Sequence, residues 1–101
     1  YNAPVLIVLA SKANYANNFA DVSCAMQNMM LACNELELGS CWVNQLRHIQ
    51  DNERIQAKMR ELGLSEDEKV YASLAIGYPD MPNGLNRLEI EPKGYKVTYV
   101  D

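Results

Sequence analysis

The side chains with reactive chemistry in this chain are three cysteines, one histidine and five methionines. Cys24 and Cys33 fall within one predicted helix and Cys41 follows it, without the Cys-x-x-Cys spacing of metal and redox motifs. His48 has no second histidine with which to share a metal ion. We therefore predict no metal site and three reduced, packed thiols, as is typical of a cytoplasmic protein.

Two other groups of side chains could be drawn as reactive sites, but ordinary packing explains them better. Met26, Met29, Met30 and Cys33 could be drawn as a soft-metal site, but their helical spacing is typical of a core-facing stripe. His48 and Cys41 could form a thiol–imidazole pair, yet no third group is placed to orient the ring. Neither grouping predicts catalysis.

Size and charge restrict the partners of this chain. Its 101 residues suffice for one small domain, and its formal net charge is −4 with no basic run. That balance argues against nucleic acid or an anionic membrane surface as the main partner. No apolar run reaches the length of a membrane span, so we expect neither a nucleic-acid nor a membrane protein.

A long helix from about Asp21 to Leu38 is the clearest predicted element. Asp21 suits its N-terminus, and Gly39 is placed where a left-handed residue ends a helix. Its apolar positions cover more than the single stripe of a surface helix. We therefore predict burial on two sides, which requires a partner chain or further sequence.

Two continuous apolar runs, residues 3–10 and 69–77, predict strands that are covered on both faces. A second helix is predicted over residues 52–62, with Asp51 or Asn52 as its cap and Gly63 at its end. The remaining predictions are a connecting stretch after Trp42, an acidic loop at 65–68, an irregular loop at 78–84 and a final strand at 96–100.

Four segments in order resemble the nitroreductase family: residues 3–8, residues 21–32, residues 36–42 and Ala75-Ile76-Gly77-Tyr78-Pro79. The resemblance implies an α+β fold with a central, mostly antiparallel sheet and a long buried helix at a dimer interface. Residues 1–101 would then be the C-terminal portion of one FMN-binding domain, working as a homodimer. This would also explain why the long helix is apolar on two sides.

The resemblance also implies a function. It predicts an FMN-dependent oxidoreductase that transfers electrons from NAD(P)H to a small nitroaromatic, quinone or similar acceptor by a ping-pong mechanism. The flavin would perform the redox step, and the protein would bind and orient it. A non-catalytic flavin-binding or scaffold protein of the same fold, and a fragment that is inactive on its own, remain as alternatives.

By resemblance, the flavin contacts come from the segment after the long helix. The backbone of Trp42, Val43, Asn44 and Gln45 would lie along one face of the isoalloxazine ring. The backbone N–H of Asn44 would donate a hydrogen bond to flavin N5, favouring the electron-rich nitrogen of the reduced ring. The Trp42 side chain could equally be an anchor in the core.

Arg87 matches the family's basic residue at the FMN phosphate, where a guanidinium can donate two hydrogen bonds; the alternative is an exposed, solubilising arginine. Leu85 stands where the family often has a second basic residue, and Glu37 where a glycine is frequent. The family's Arg-x-Ser-x-Arg segment, which also holds FMN, would belong to an N-terminal part upstream of Tyr1.

Overall fold

The computed structural model describes residues 2–80 and 91–101. Its three strands form one antiparallel sheet in the order β1-β3-β2, with helices before and between them, so the predicted α+β class is confirmed. The elements in chain order are β1 Val5–Lys12, α1 Asn18–Glu35, β2 Gly39–Val43, α2 Gln45–Ile49, α3 Glu53–Glu61 and β3 Glu68–Gly77.

The central strand is β3, and its predicted burial is confirmed. It pairs with β1 from Glu68 to Ile76 on one edge and with β2 from Ser73 to Gly77 on the other. The prediction that residues 3–10 form a strand covered on both faces is wrong for the described chain. β1 lies at a sheet edge, and Leu6 is 55% exposed. An apolar run predicts burial, but it does not say which strand lies beside it.

Helix α1 begins at Asn18, earlier than predicted, and Asp21 lies in its first turn, at the N-terminal end where the sequence predicts it. Asn17 occupies the cap position without a side-chain hydrogen bond. In this single chain only one side of α1 is buried, against the sheet, whereas the sequence predicted burial on two sides. The core consists of Val22, Met26 and Cys33 from α1 with Ala72 and Leu74 from β3.

The end of α1 differs from its prediction. Glu37, not Gly39, takes the left-handed conformation, with φ +58°. The Leu38 N–H donates to the Cys33 carbonyl at 2.8 Å and the Glu37 N–H to the Asn34 carbonyl at 3.2 Å. This is the Schellman motif, in which glycine usually occupies the position that Glu37 holds. Gly39 is instead the first residue of β2.

Helix α3 closely follows its predicted range. The Asn52 side chain accepts a hydrogen bond from the Arg54 N–H at 3.0 Å, which confirms it as the cap. Gly63 then ends the helix with φ +104°, and the Leu64 N–H donates to the Met59 carbonyl at 3.0 Å. The same motif therefore ends α1 with a glutamate and α3 with a glycine.

Two further expectations need correction, and a third is confirmed over the residues that the structure describes. Cys33 is buried, but Cys24 and Cys41 are exposed, so the packed-thiol prediction holds for one cysteine. Residues 96–100 are exposed and form no strand, because no neighbouring strand among the described residues pairs with their backbone. Residues 78–80 are irregular as predicted, and the rest of the predicted 78–84 loop lies outside the described residues.

We predict that Glu37→Gly raises the free energy of unfolding by about 0.5–1 kcal/mol. A left-handed backbone costs an L-residue more than it costs glycine, and the greater freedom of glycine in the unfolded chain offsets part of the gain. Urea denaturation of the full-length protein measures the change.

The matched variant is Gly63→Ala, which places a side chain in the same backbone conformation after α3. A Cβ at Gly63 would meet no atom within 4 Å, so the conformation alone is tested. This variant should lose roughly 1 kcal/mol. If the two substitutions shift stability in the same direction, the backbone explanation is wrong.

Candidate functional site

The predicted flavin-contacting segment, residues 42–45, joins the end of β2 to the start of α2. Since β2 is an edge strand of the described sheet, one side of this segment is open. Trp42 and Val43 are half-buried, while Asn44 and Gln45 are exposed. The segment thus has an anchored half and an accessible half. Arg87, the predicted phosphate contact, lies outside the described residues.

The Trp42 side chain serves as an anchor. It packs against the cluster between α1 and β3. Its indole Nε1–H donates to the Asn44 side-chain oxygen at 3.0 Å. The apolar ring of Trp42 packs β2 against the core, and its N–H orients the Asn44 side chain. The structure therefore favours the prediction that the Trp42 side chain is an anchor in the core.

The carbonyl of Val43 is held by a buried hydroxyl. Ser73 on β3 is 1% exposed, and its Oγ donates to the Val43 carbonyl oxygen at 2.7 Å. Sequence reasoning missed Ser73. The available signal was a hydroxyl in the middle of the apolar run of β3, because a buried polar group requires a partner.

Helix α2 is attached to β3 by a side-chain amide. Past the pair of Val43 with Ser73, β2 no longer covers this edge of β3. There the Gln50 Nε2–H donates to the Val70 carbonyl at 2.9 Å, and the Val70 N–H donates to Gln50 Oε1 at 2.8 Å. The amide thus replaces a neighbouring strand at a fully buried residue. Neither α2 nor Gln50 was predicted from the sequence.

A cationic contact attaches α2 to the start of α1. The Arg47 guanidinium carbon lies 4.3 Å from the centre of the Phe19 ring, within the range of a cation–π interaction. Phe19 in turn lies beside Tyr71 of β3, with 6.5 Å between ring centres. The segment at 42–45 is therefore followed by a short helix with two attachments, one to β3 and one to α1.

Beside Val43 the sheet forms a shallow, mostly apolar hollow of about 240 Å³. Small-molecule sites usually enclose about 300–1,000 Å³, so this hollow could supply only part of one. Its lining residues are Asn2, Ala3, Val5, Leu6, Val43 and Ala75.

Metal and dyad chemistry find no support in residues 2–80 and 91–101. No three metal-ligating side chains come together there. His48 and Cys41 are both exposed, and the Cys41 thiol lies 3.7 Å from the Trp42 carbonyl. Within the same residues, no helix is long and apolar enough to cross a membrane.

One surface ion pair lies where β1 ends and β3 begins. Lys12 Nζ is 3.0 Å from Asp67 Oδ2. Their hydrogen bond and opposite charges raise the pKa of Lys12 and lower the pKa of Asp67. Both side chains are exposed, so the pair is part of the sheet's solvated edge and not of the candidate site.

A sequence profile of the Nitroreductase family matches residues 1–78. This chain belongs to the nitroreductase family. A nitroreductase with bound FMN from Bacteroides fragilis is 34% identical to it, with a TM-score of 0.86. That match covers 100% of this chain and 53% of the Bacteroides chain. The predicted nitroreductase-like fold is thereby confirmed.

Two further solved nitroreductases are similar. The FMN and NADPH-dependent NfnB from sphigopyxis sp. strain HMH is 29% identical, with a TM-score of 0.67 over 91% of this chain and 40% of its own. An FMN-dependent nitroreductase from Clostridium difficile is 23% identical and supports the fold alone; its TM-score is 0.71, over 99% of this chain and 60% of its own. This chain therefore spans 40–60% of the length of these nitroreductases. Among curated protein sequences, no match was found.

We predict that Gln50→Ala lowers the free energy of unfolding of the full-length protein by about 2 kcal/mol. The substitution leaves the buried N–H and C=O of Val70 without partners, and an unsatisfied buried polar group costs roughly 1–3 kcal/mol. Urea denaturation gives the loss, and faster hydrogen exchange at the Val70 amide locates it.

The control is Gln56→Ala, which truncates an exposed glutamine on α3. It should leave both measurements nearly unchanged. Equal losses in the two variants would mean that the amide contact to Val70 contributes nothing specific.

Proposed function

We propose that this protein is an FMN-dependent oxidoreductase that transfers electrons from NAD(P)H to a nitroaromatic, quinone or similar small acceptor in a ping-pong cycle. The observation that carries the proposal is the similarity of the whole chain to a nitroreductase with bound FMN, at a TM-score of 0.86. Membership of the family supports an oxidoreductase, and NfnB is an NADPH-dependent member.

The residues of the 42–45 segment fit a flavin ring. Such a ring needs apolar contact over its faces and a few polar groups at its edge, as other cofactor sites do. Asn44 and Gln45 are exposed where the chain passes from β2 to α2, which makes their backbone N–H groups candidate donors, and the hollow beside Val43 offers apolar surface. In the proposal, this segment binds one part of the cofactor and the rest of the protein binds the remainder.

When bound, FMN supplies the two-electron redox chemistry. The contribution of this chain is orientation. The backbone N–H of Asn44 would donate to the ring nitrogen N5, and the hydrogen bond from Ser73 to the Val43 carbonyl would hold that peptide group in place. Arg87 would hold the phosphate through its guanidinium, which suits a phosphate because it donates two parallel hydrogen bonds.

The proposal includes a homodimer. The side of α1 that faces away from the sheet is exposed in the single chain, and Leu31 on it is 58% exposed. Pairing α1 with the same helix of a second copy would cover this surface and give the helix the two-sided burial that its sequence predicts. A reducing, cytoplasmic setting is also proposed, supported by three cysteines without a disulfide.

We predict that the full-length protein is purified yellow, with flavin absorbance, and that NADH or NADPH bleaches this absorbance under anaerobic conditions. Adding a nitroaromatic or a quinone should restore it, because a ping-pong cycle separates the two half-reactions. Stopped-flow spectroscopy measures each step. Bound flavin that neither nucleotide reduces would support the non-catalytic flavin-binding alternative, and failure to bind added FMN would exclude both.

FMN retention in two arginine variants tests the predicted phosphate contact. Arg87→Ala should weaken FMN retention roughly 10-fold or more, since a hydrogen bond to a charged group contributes about 1.5–3 kcal/mol. Arg54→Ala, on the exposed surface of α3, is the control for loss of a positive charge. Equal FMN affinities in both variants would remove Arg87 from the phosphate site.

We predict that Leu31→Asp converts the dimer into monomer, because it would place an unpaired charge in a buried apolar contact. Analytical ultracentrifugation measures the oligomeric state. The control is Leu62→Asp, at a similarly exposed leucine that ends α3. A Leu31→Asp variant that stays dimeric would place the interface elsewhere.

A further inference from the structure

A buried hydroxyl on the central strand β3, that of Ser73, contacts the segment that forms the candidate site. Of the polar side chains in the described residues, Ser73 is the one that is fully buried, at 1% exposure. The Ser73 hydroxyl donates to the Val43 carbonyl oxygen at 2.7 Å. Val43 and Ser73 are also the last paired residues of β2 and β3 before β2 ends. The hydroxyl therefore holds the strand at the point where it leaves the sheet.

The carbonyl that Ser73 holds belongs to the same peptide group as the Asn44 N–H. No cis peptide bond occurs among the described residues, and in a trans peptide the C=O and N–H point in opposite directions. With the Val43 carbonyl directed toward β3, the Asn44 N–H is directed away from β3, toward the open edge of β2. The hydrogen bond from Ser73 to the Val43 carbonyl thus also fixes the direction of the Asn44 N–H, because both groups belong to one planar peptide group.

We propose that Ser73 is a positioning residue that orients the Asn44 N–H toward N5 of the flavin through the Val43–Asn44 peptide group. This inference rests on the proposed function. Ser73 does not touch the cofactor itself; it acts through the peptide group between them. Accepting a hydrogen bond at the carbonyl also polarises the peptide group, which makes its N–H a stronger donor.

The other side-chain contacts of this segment do not hold the Val43–Asn44 peptide group. The Trp42 indole holds the side chain of Asn44, not its backbone. Gln50 holds the far end of α2 against Val70. Without the hydroxyl, the peptide group at the end of β2 would lose the side-chain contact that limits its rotation, while the neighbouring strand pairs would remain.

The test compares Ser73→Ala with wild type in the full-length, FMN-loaded protein. We expect NAD(P)H to reduce the flavin about 3- to 10-fold more slowly, the equivalent of one hydrogen bond, with an unchanged KM for the nucleotide. The flavin midpoint potential should become more negative. The nuclear magnetic resonance signal of ¹⁵N-labelled flavin N5 should move toward its position in free FMN.

Two substitutions and one control complete the design. Ser73→Thr keeps the hydroxyl and should restore the wild-type rate, potential and N5 signal. Ser73→Cys has nearly the same size with a weaker donor, should be intermediate, and replaces Ser73→Ala if that variant does not fold. Ser23→Ala removes a similar bond on α1, from Ser23 Oγ to the Phe19 carbonyl at 2.7 Å, and should change none of the three readouts.

The outcomes separate this inference from the proposed function. If wild-type protein neither binds FMN nor is reduced by NAD(P)H, the proposed function fails and the role of Ser73 fails with it. If wild type is active but a folded Ser73→Ala keeps its reduction rate, potential and N5 signal, the role of Ser73 alone is wrong. A loss of stability with an unchanged N5 signal would likewise reduce Ser73 to a purely structural residue.

Discussion

The described structure depends on satisfying the backbone of β3. This strand is buried at Val70 and from Ala72 to Ala75, so the N–H and C=O groups there require partners away from water. β1 provides partners on one edge from Glu68 to Ile76, and β2 provides them on the other from Ser73 to Gly77. Where β2 has ended, the side-chain amide of Gln50 continues the pattern at Val70. Sheet order and the position of α2 both follow from this requirement.

The same requirement determines where the candidate site is rigid. The segment that leaves β2 is held by contacts to β3 or its neighbours on one side, and its other side is free of the sheet. The proposed backbone donor at Asn44 would benefit from this arrangement, because it would be fixed before a cofactor binds. A backbone contact of this kind would not depend on the side chain of Asn44, so residue type alone gives no signal for it.

Much of the framework could be predicted from residue patterns. The apolar run at 69–77 predicted β3, and Asn52 with Gly63 predicted the ends of α3, because local capping and burial patterns are sufficient for such elements. The prediction failed at the other end of a helix. Gly39 predicted the end of α1, but the helix ends at Glu35 and the left-handed residue that follows it is Glu37, while Gly39 pairs with Gly77 in the sheet. The short helix α2 has no strong pattern of its own.

The sequence by itself determined the family and the types of the long elements, since ordered motifs and hydrophobic periodicity are local properties of the chain. Tertiary structure decided which strand is central, which thiols are exposed and which groups hold the candidate site. Ser73 and Val43 are distant in sequence and meet only because β2 and β3 pair in one register. Neither segment alone specifies that register, because it depends on matching the buried faces of two strands that are distant in the chain.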